Sequence, residues 1–178
     1  MNRLDSSLKR MVYAAMFGAL TALGAFIVIP LQPVPISLQT LFCGLAGVLL
    51  GGYTGALSQI VYVLLGIIGL PVFAGGKAGL GTLFGPTGGY LLGFIAAAFV
   101  IGKIIESKPQ ASAVRIVAAL LAGNLVIYLC GTLQLSVVAD LSLMKSLMAG
   151  VIPFLPGDVL KLAAAAWIGY KLQPLFRA

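Results

Sequence analysis

Six stretches of this chain are apolar over lengths that a soluble fold could not cover, and they constrain it more than any single motif does. They run from about Leu8 to Ile29, Ser37 to Leu50, Tyr53 to Leu70, Thr87 to Glu106, Ser112 to Val138, and Pro156 to Tyr170, the last extending to about Leu175. A helix needs roughly 20 apolar residues to cross the hydrocarbon core, and in lipid only helices and closed barrels satisfy their own backbone polar groups. With 61% hydrophobic and 8% charged residues, the composition lies far from that of soluble domains. The expectation is an all-α membrane protein: a single integral membrane domain over residues 1–178, built as a six-transmembrane-helix bundle in the lipid bilayer. The second stretch is short and is expected to tilt or to end below the surface. Leu141 to Ile152 reads as a partial helix before the last span.

The net charge of +7 is carried by Lys and Arg scattered singly at the ends of apolar runs, which is a topology signal and not a nucleic-acid-binding face. Arg3, Lys9, Arg10, Lys103, Lys108, Arg115, Lys171 and Arg177 fall on the side of the termini, against Lys77, Lys145 and Lys161 opposite. By the positive-inside rule both termini are cytoplasmic and the chain is a multi-pass protein of the cell membrane. Lys9-Arg10 before an apolar run imitates a secretory signal, but the run from Met11 to Ile29 exceeds the 7–15 residues of such a core. It reads as a retained first helix. Cys43 and Cys130 each sit inside an apolar segment and read as structural thiols.

Several chemistries are excluded. GGKAG is not a phosphate-binding loop, which needs Gly where Pro71 stands and Ser or Thr where Ala78 stands. GLGTLF has Phe84 where the dinucleotide fingerprint has its third glycine. The chain has no His and only four acids, Asp5, Glu106, Asp140 and Asp158, which leaves no Ser-His arrangement and little for paired-carboxylate catalysis. No enzyme activity, metal site or cofactor is expected of this chain alone.

Three stretches carry meaning. In PFLPGDVLK, Pro153 to Lys161, Asp158 and Lys161 are opposite charges on one helix face at spacing i, i+3. An ionisable residue at membrane depth costs about 2.5–3.5 kcal/mol on insertion scales and faces a cavity or a partner. Pro156 suits a first helical turn, so Asp158 also fits a simple helix-capping role. In GLPVFAGGKAGLGTLFGPTGGYLLGF, Gly69 to Phe94, eight glycines between Gly75 and Gly93 are expected to bring backbone close to something. Phe73, Phe84 and Tyr90 offer apolar walls. Gly85, Gly89 and Gly93 form a stripe for packing against a neighbouring helix. In LLAGNLVIYL, Asn124 must face the bundle interior, as helix glue or as a ligand contact, and Gln39 has a similar place at the start of the second span. Ala15, Gly18, Ala19 and Ala22 make a flat surface on the first helix.

Taken together, IPLQPVPISLQTL, GLPVFAGG followed by GPTGGYLLGF, and PFLPGDVLK resemble the BioY family, the biotin-specific substrate-capture subunits of energy-coupling factor (ECF) transporters. The likeness runs over nearly the whole chain. It departs where Lys77 is followed by Ala78-Gly79 and not by the family's usual Gly-Gly. The resemblance implies a six-helix membrane protein that binds biotin from outside. It further implies docking of the first helix, at an Ala-x-x-x-Ala pattern matched by Ala15 and Ala19, onto a transmembrane coupling (T) protein that carries two ABC-type ATPases. Biotin is then the transported ligand and not a cofactor, and ATP hydrolysis belongs to the partners.

Biotin's ureido group has two N–H donors and one carbonyl acceptor. A carboxylate accepts both donors, so Asp158 is the candidate for the N–H groups and Lys161 or Asn124 for the carbonyl. Phe73 and Tyr90 are candidates to flank the rings, Gln39 to join the polar contacts, and Lys77 or loop N–H groups to meet the carboxylate tail. Two other classes are open: a small intramembrane enzyme, which would need a further nucleophile or base, and a carrier that works without ATPase partners.

Overall fold

The computed structural model describes residues 3–108 and 110–177, with side chains described from Ser7 to Phe176, Pro109 excepted. It is a helical bundle: α1 (Arg3–Phe26), α2 (Gln39–Leu50), α3 (Gly52–Ile67), α4 (Leu80–Leu83), α5 (Gly88–Glu106), α6 (Ala113–Val138), α7 (Leu143–Gly150) and α8 (Leu155–Arg177). A 3₁₀ turn (Ile152–Phe154) leads into α8. Two-residue strands β1 (Val28–Ile29) and β2 (Ile36–Ser37) pair antiparallel, with Val28 opposite Ser37. This hairpin ends the first helix at Phe26, three residues before the apolar run does.

Gly88–Glu106, Ala113–Val138 and the stretch Leu143–Phe176 are long and apolar enough to cross a membrane. The expected second and third spans form the shorter apolar helices α2 and α3. At 1.5 Å per residue, the 12 residues of α2 reach about 18 Å, short of a hydrocarbon core about 30 Å thick. The helix α2 is instead the centre of the bundle, touching α1, α3, α5, α6 and α8. Cys43 on it is fully buried and donates its thiol to the Phe94 carbonyl at 3.3 Å.

Glycine lets the helices approach. A Cβ on Gly89 would meet the Cys130 carbonyl of α6, and one on Gly93 would lie 3.0 Å from the Ile127 Cα. Two members of the expected stripe therefore pack as foreseen. Gly85 does not, because it sits in the turn before α5 against Gly81 and Thr82. The small face of α1 is also divided. Gly18 faces α3, 2.9 Å from the Ser58 carbonyl for an added Cβ, and Ala22 is buried, whereas Ala15 and Ala19 are exposed.

One end of the bundle gathers both ends of the chain and the turn between α2 and α3. Gly51 makes that turn at a positive φ of 83°, and the Gly52 N–H is capped by Glu106 Oε1 at 3.0 Å. Lys103 pairs with Glu106 at 3.4 Å and lies 4.0 Å over the Tyr53 ring. Gln173 of α8 accepts from the Ala111 N–H at 3.1 Å, and the ring of Phe176 meets that of Tyr13 at 5.1 Å. The opposite end carries the hairpin, the 71–87 connection and the start of α8. That end holds the site.

Candidate ligand-binding site

A cavity lies between the hairpin, the 71–87 connection and the inner faces of α2, α5, α6 and α8. Its walls are mostly apolar, with Phe73, Tyr90, Phe94 and Phe154 the largest, and its polar groups come from Ser37, Gln39, Thr40, Thr87, Tyr128, Asp158 and Lys161. An apolar chamber with a few convergent polar groups is the usual form of a small-molecule site.

Each wall is held by identifiable contacts. Phe73 seats its ring on Gly66 of α3, in the space a Cβ would occupy, and meets Tyr62 edge-on at 5.7 Å. Tyr62 donates to the Val72 carbonyl at 3.1 Å and accepts from the Gln39 amide; Gln39 in turn accepts from Ser37 Oγ at 2.7 Å. This chain of bonds ties the hairpin, α2, α3 and the following loop into one unit. Tyr90 donates to the Gly150 carbonyl at 2.8 Å and its ring fills the gap beside Gly131, so the start of α5 is locked to α6 and α7. Gln134 of α6 holds the far side of the connection, donating to the Leu83 and Gly85 carbonyls at 2.7 and 2.9 Å.

Asp158 is the electrostatic centre. It lies in the first turn of α8, as Pro156 foretells, yet it is 4% exposed and its carboxylate is partnered by side chains: one oxygen accepts from the Tyr128 hydroxyl and the other forms an ion pair with Lys161. Lys161 also donates to the Ser37 carbonyl at 3.0 Å. A buried charge needs such partners, since leaving either ion alone is strongly unfavourable. The acid and base are held at the cavity wall by three separate elements.

Of the residues singled out in the sequence, Asp158, Lys161, Gln39, Phe73 and Tyr90 line this cavity. Asn124 lines a smaller adjoining cavity that shares Thr40, Ile127, Asp158 and Lys161 with it. Lys77 is exposed and outside the lining; it acts through its carbonyl, which accepts from the Phe73 N–H at 3.0 Å. In the loop, Gly75, Gly76 and Gly79 adopt φ of 77°, 71° and 83° with open space where a Cβ would stand, and the Gly79 N–H donates to the Gly66 carbonyl of α3 at 2.7 Å. Tyr128, Thr40 and Ser37 were not anticipated. Tyr128 follows Asn124 by one helical turn, so the polarity argument applied four residues further on reaches it.

The BioY family model matches residues 1–178. This chain belongs to the BioY family. It is 43% identical over 168 residues to the biotin transporter BioY of Thermotoga maritima, covering 94% of this chain and 98% of that one. It is 41% identical over 165 residues to the probable biotin transporter BioY of Pyrococcus horikoshii, covering 93% and 96%. Its fold matches the crystal structure of the S-component for biotin from an ECF-type ABC transporter with a TM-score of 0.88, 29% identity and 100% coverage of both chains.

Proposed function

We propose that this chain is the biotin-capture subunit of an ECF transporter, binding biotin from the outer side of the cell membrane and delivering it through a transmembrane coupling protein and two ABC-type ATPases. The observation that carries this reading is the buried Asp158 carboxylate, held by Tyr128 and Lys161 at the wall of an aromatic cavity. Asp158 accepts the ureido N–H groups and Lys161 donates to the ureido carbonyl, with Asn124 behind them in the smaller cavity. Phe73 and Tyr90 flank the rings, and Gln39 orders the hairpin side. Because Lys77 lies outside the wall, Thr87 and the loop N–H groups are the partners we assign to the carboxylate tail. The chain itself performs no hydrolysis. Titration calorimetry of the detergent-purified chain with biotin is expected to give a saturable one-to-one heat; no heat would overturn the reading. Flux in proteoliposomes without ATPases would favour an autonomous carrier.

Phe73 gives this reading a mechanical test. Gly66→Ala places a methyl group where the Phe73 ring sits, and overpacking of this kind costs about 1–3 kcal/mol. Biotin affinity is expected to fall about tenfold or more, because the displaced ring takes the loop out of the cavity wall. Calorimetry on the variant checks this.

The same reading has six membrane passes, with both termini in the cytoplasm; of the two short ones, α2 lies at the centre of the bundle and α3 leaves Tyr53, Leu57, Ile60 and Leu64 exposed. It is supported by Lys9, Arg10, Lys103, Lys108, Arg115 and Lys171 at the end away from the cavity. With the native Cys130 replaced, Gln110→Cys is expected to label from the cytoplasm and Lys77→Cys from outside with a membrane-impermeant maleimide, both positions being exposed. The reverse pattern would put the cavity on the wrong side.

A further inference from the structure

A second, open cavity lies at the opposite end of the bundle, lined by Lys9, Arg10 and Tyr13 of α1, Leu49 and Leu50 of α2, Thr54 of α3, and Phe176 of α8. Nothing in biotin capture uses it. Its chemistry is uneven in a specific way: two cations stand at one wall, a hydroxyl at another, and the paired rings of Tyr13 and Phe176 close the floor. No acid lines it. Glu106, the acid among the described side chains at this end, is committed to Lys103 and to the Gly52 N–H. Asp5, a helical turn before Lys9, has a side chain outside the described residues; even paired with Lys9 it leaves Arg10 to set a positive sign.

The surroundings point to the class of anion. On α1, Leu8, Met11 and Val12 are each more than half exposed and flank the two cations along the helix surface. A bound phosphodiester would therefore have apolar helix surface directly beneath it, as the acyl chains of a lipid require and a free phosphate does not. Basic pockets between membrane helices on the cytoplasmic side are suited to anionic headgroups. We infer that the cavity formed by Lys9, Arg10, Tyr13, Thr54 and Phe176 binds the headgroup of an anionic phospholipid from the cytoplasmic leaflet. This rests on the proposed membrane orientation but not on biotin recognition. The lipid would hold the start of α1 against α2 and α8, next to the exposed Ala15–Ala19 face.

Native mass spectrometry of the full chain is the test, with phosphatidylglycerol, phosphatidylcholine and inorganic phosphate as the three probes. The chain is expected to retain phosphatidylglycerol over phosphatidylcholine. Lys9→Gln with Arg10→Gln is expected to weaken that retention roughly tenfold to thirtyfold, the size expected for two cations near an anionic surface. Removing two exposed cations elsewhere at the same end, Lys108→Gln with Lys171→Gln, is expected to change it less than threefold. Gel filtration and thermal unfolding of each variant report folding independently of biotin titration, so a failed capture reading and a failed lipid site are told apart. Equal retention of the two lipids by the unaltered chain overturns the inference even if the variant does not fold. So does displacement of the lipid by inorganic phosphate, an equal loss in both double variants, or a Lys9/Arg10 variant that keeps its lipid but loses the coupling protein.

Discussion

Replacing Asp158 with Ala is expected to abolish tight biotin binding, with a loss of a hundredfold or more, while leaving the chain folded and inserted. Each charge-assisted hydrogen bond to a desolvated carboxylate is worth about 1.5–3 kcal/mol, and two ureido N–H groups lose their acceptor together. The substitution also strips Lys161 and Tyr128 of their common partner. A buried ion left unpaired costs stability as well, so the experiment needs a companion. Asp158→Asn keeps the volume and an oxygen for the Tyr128 hydroxyl, and the Lys161 side chain retains the Ser37 carbonyl as an acceptor. Calorimetry with biotin, alongside gel filtration and thermal unfolding, separates the two effects: weak binding by a folded Asn variant supports ligand recognition. Unchanged affinity in the Ala variant would reduce Asp158 to a structural ion at the start of α8.

Replacing Ala15 and Ala19 together with Leu is expected to leave biotin binding within about twofold of normal and to abolish uptake. The proposed partner helix would approach closely along this face, and small residues spaced by four permit such an approach where Leu forbids it. Burial decides against the competing account. If the face packed within the chain's own bundle, the added volume would cost about 1–3 kcal/mol and lower binding and stability together. Both alanines are exposed, whereas their neighbours Gly18 and Ala22 are the residues turned toward the bundle. Leu is a good helix former and compatible with lipid, so insertion should not suffer. The decisive comparison is biotin titration of the purified variant against its co-purification with the coupling protein and the ATPases. Retained co-purification and normal uptake would sink the docking proposal.

Much of this molecule was legible in the order of its residues, because hydrocarbon imposes one rule on every segment: satisfy the backbone internally. The six apolar stretches became the six main helices, and the partial helix at Leu141–Ile152 became α7 and the 3₁₀ turn. Asp158 and Lys161 could be singled out by cost alone, since few charges occur at apolar depth and these two share a helix face. The hairpin was not legible. Its strands are two residues long and buried in apolar sequence that has no alternation to read.

Which polar residues share a chamber was decided only by tertiary structure. Helix periodicity places a residue on a face but does not say which face of which neighbour it meets. Phe73, Gln39, Tyr90 and Asp158 come from four elements and meet only because Gly66, Gly131 and the Tyr62 bonds seat the rings and tie the loops. The same distinction explains the misplaced residues. Lys77 lies outside the chamber because the loop glycines turn it outward through positive φ. Gly18 and Ala15, three residues apart on one helix, part company because α3 covers one and leaves the other exposed. Composition determined the solvent the chain calls for, through the additive cost of burying backbone and ions, and the spread of Lys and Arg carries the proposed orientation. The pairing of surfaces came from close packing, which depends on shape in three dimensions and leaves no local trace in the sequence.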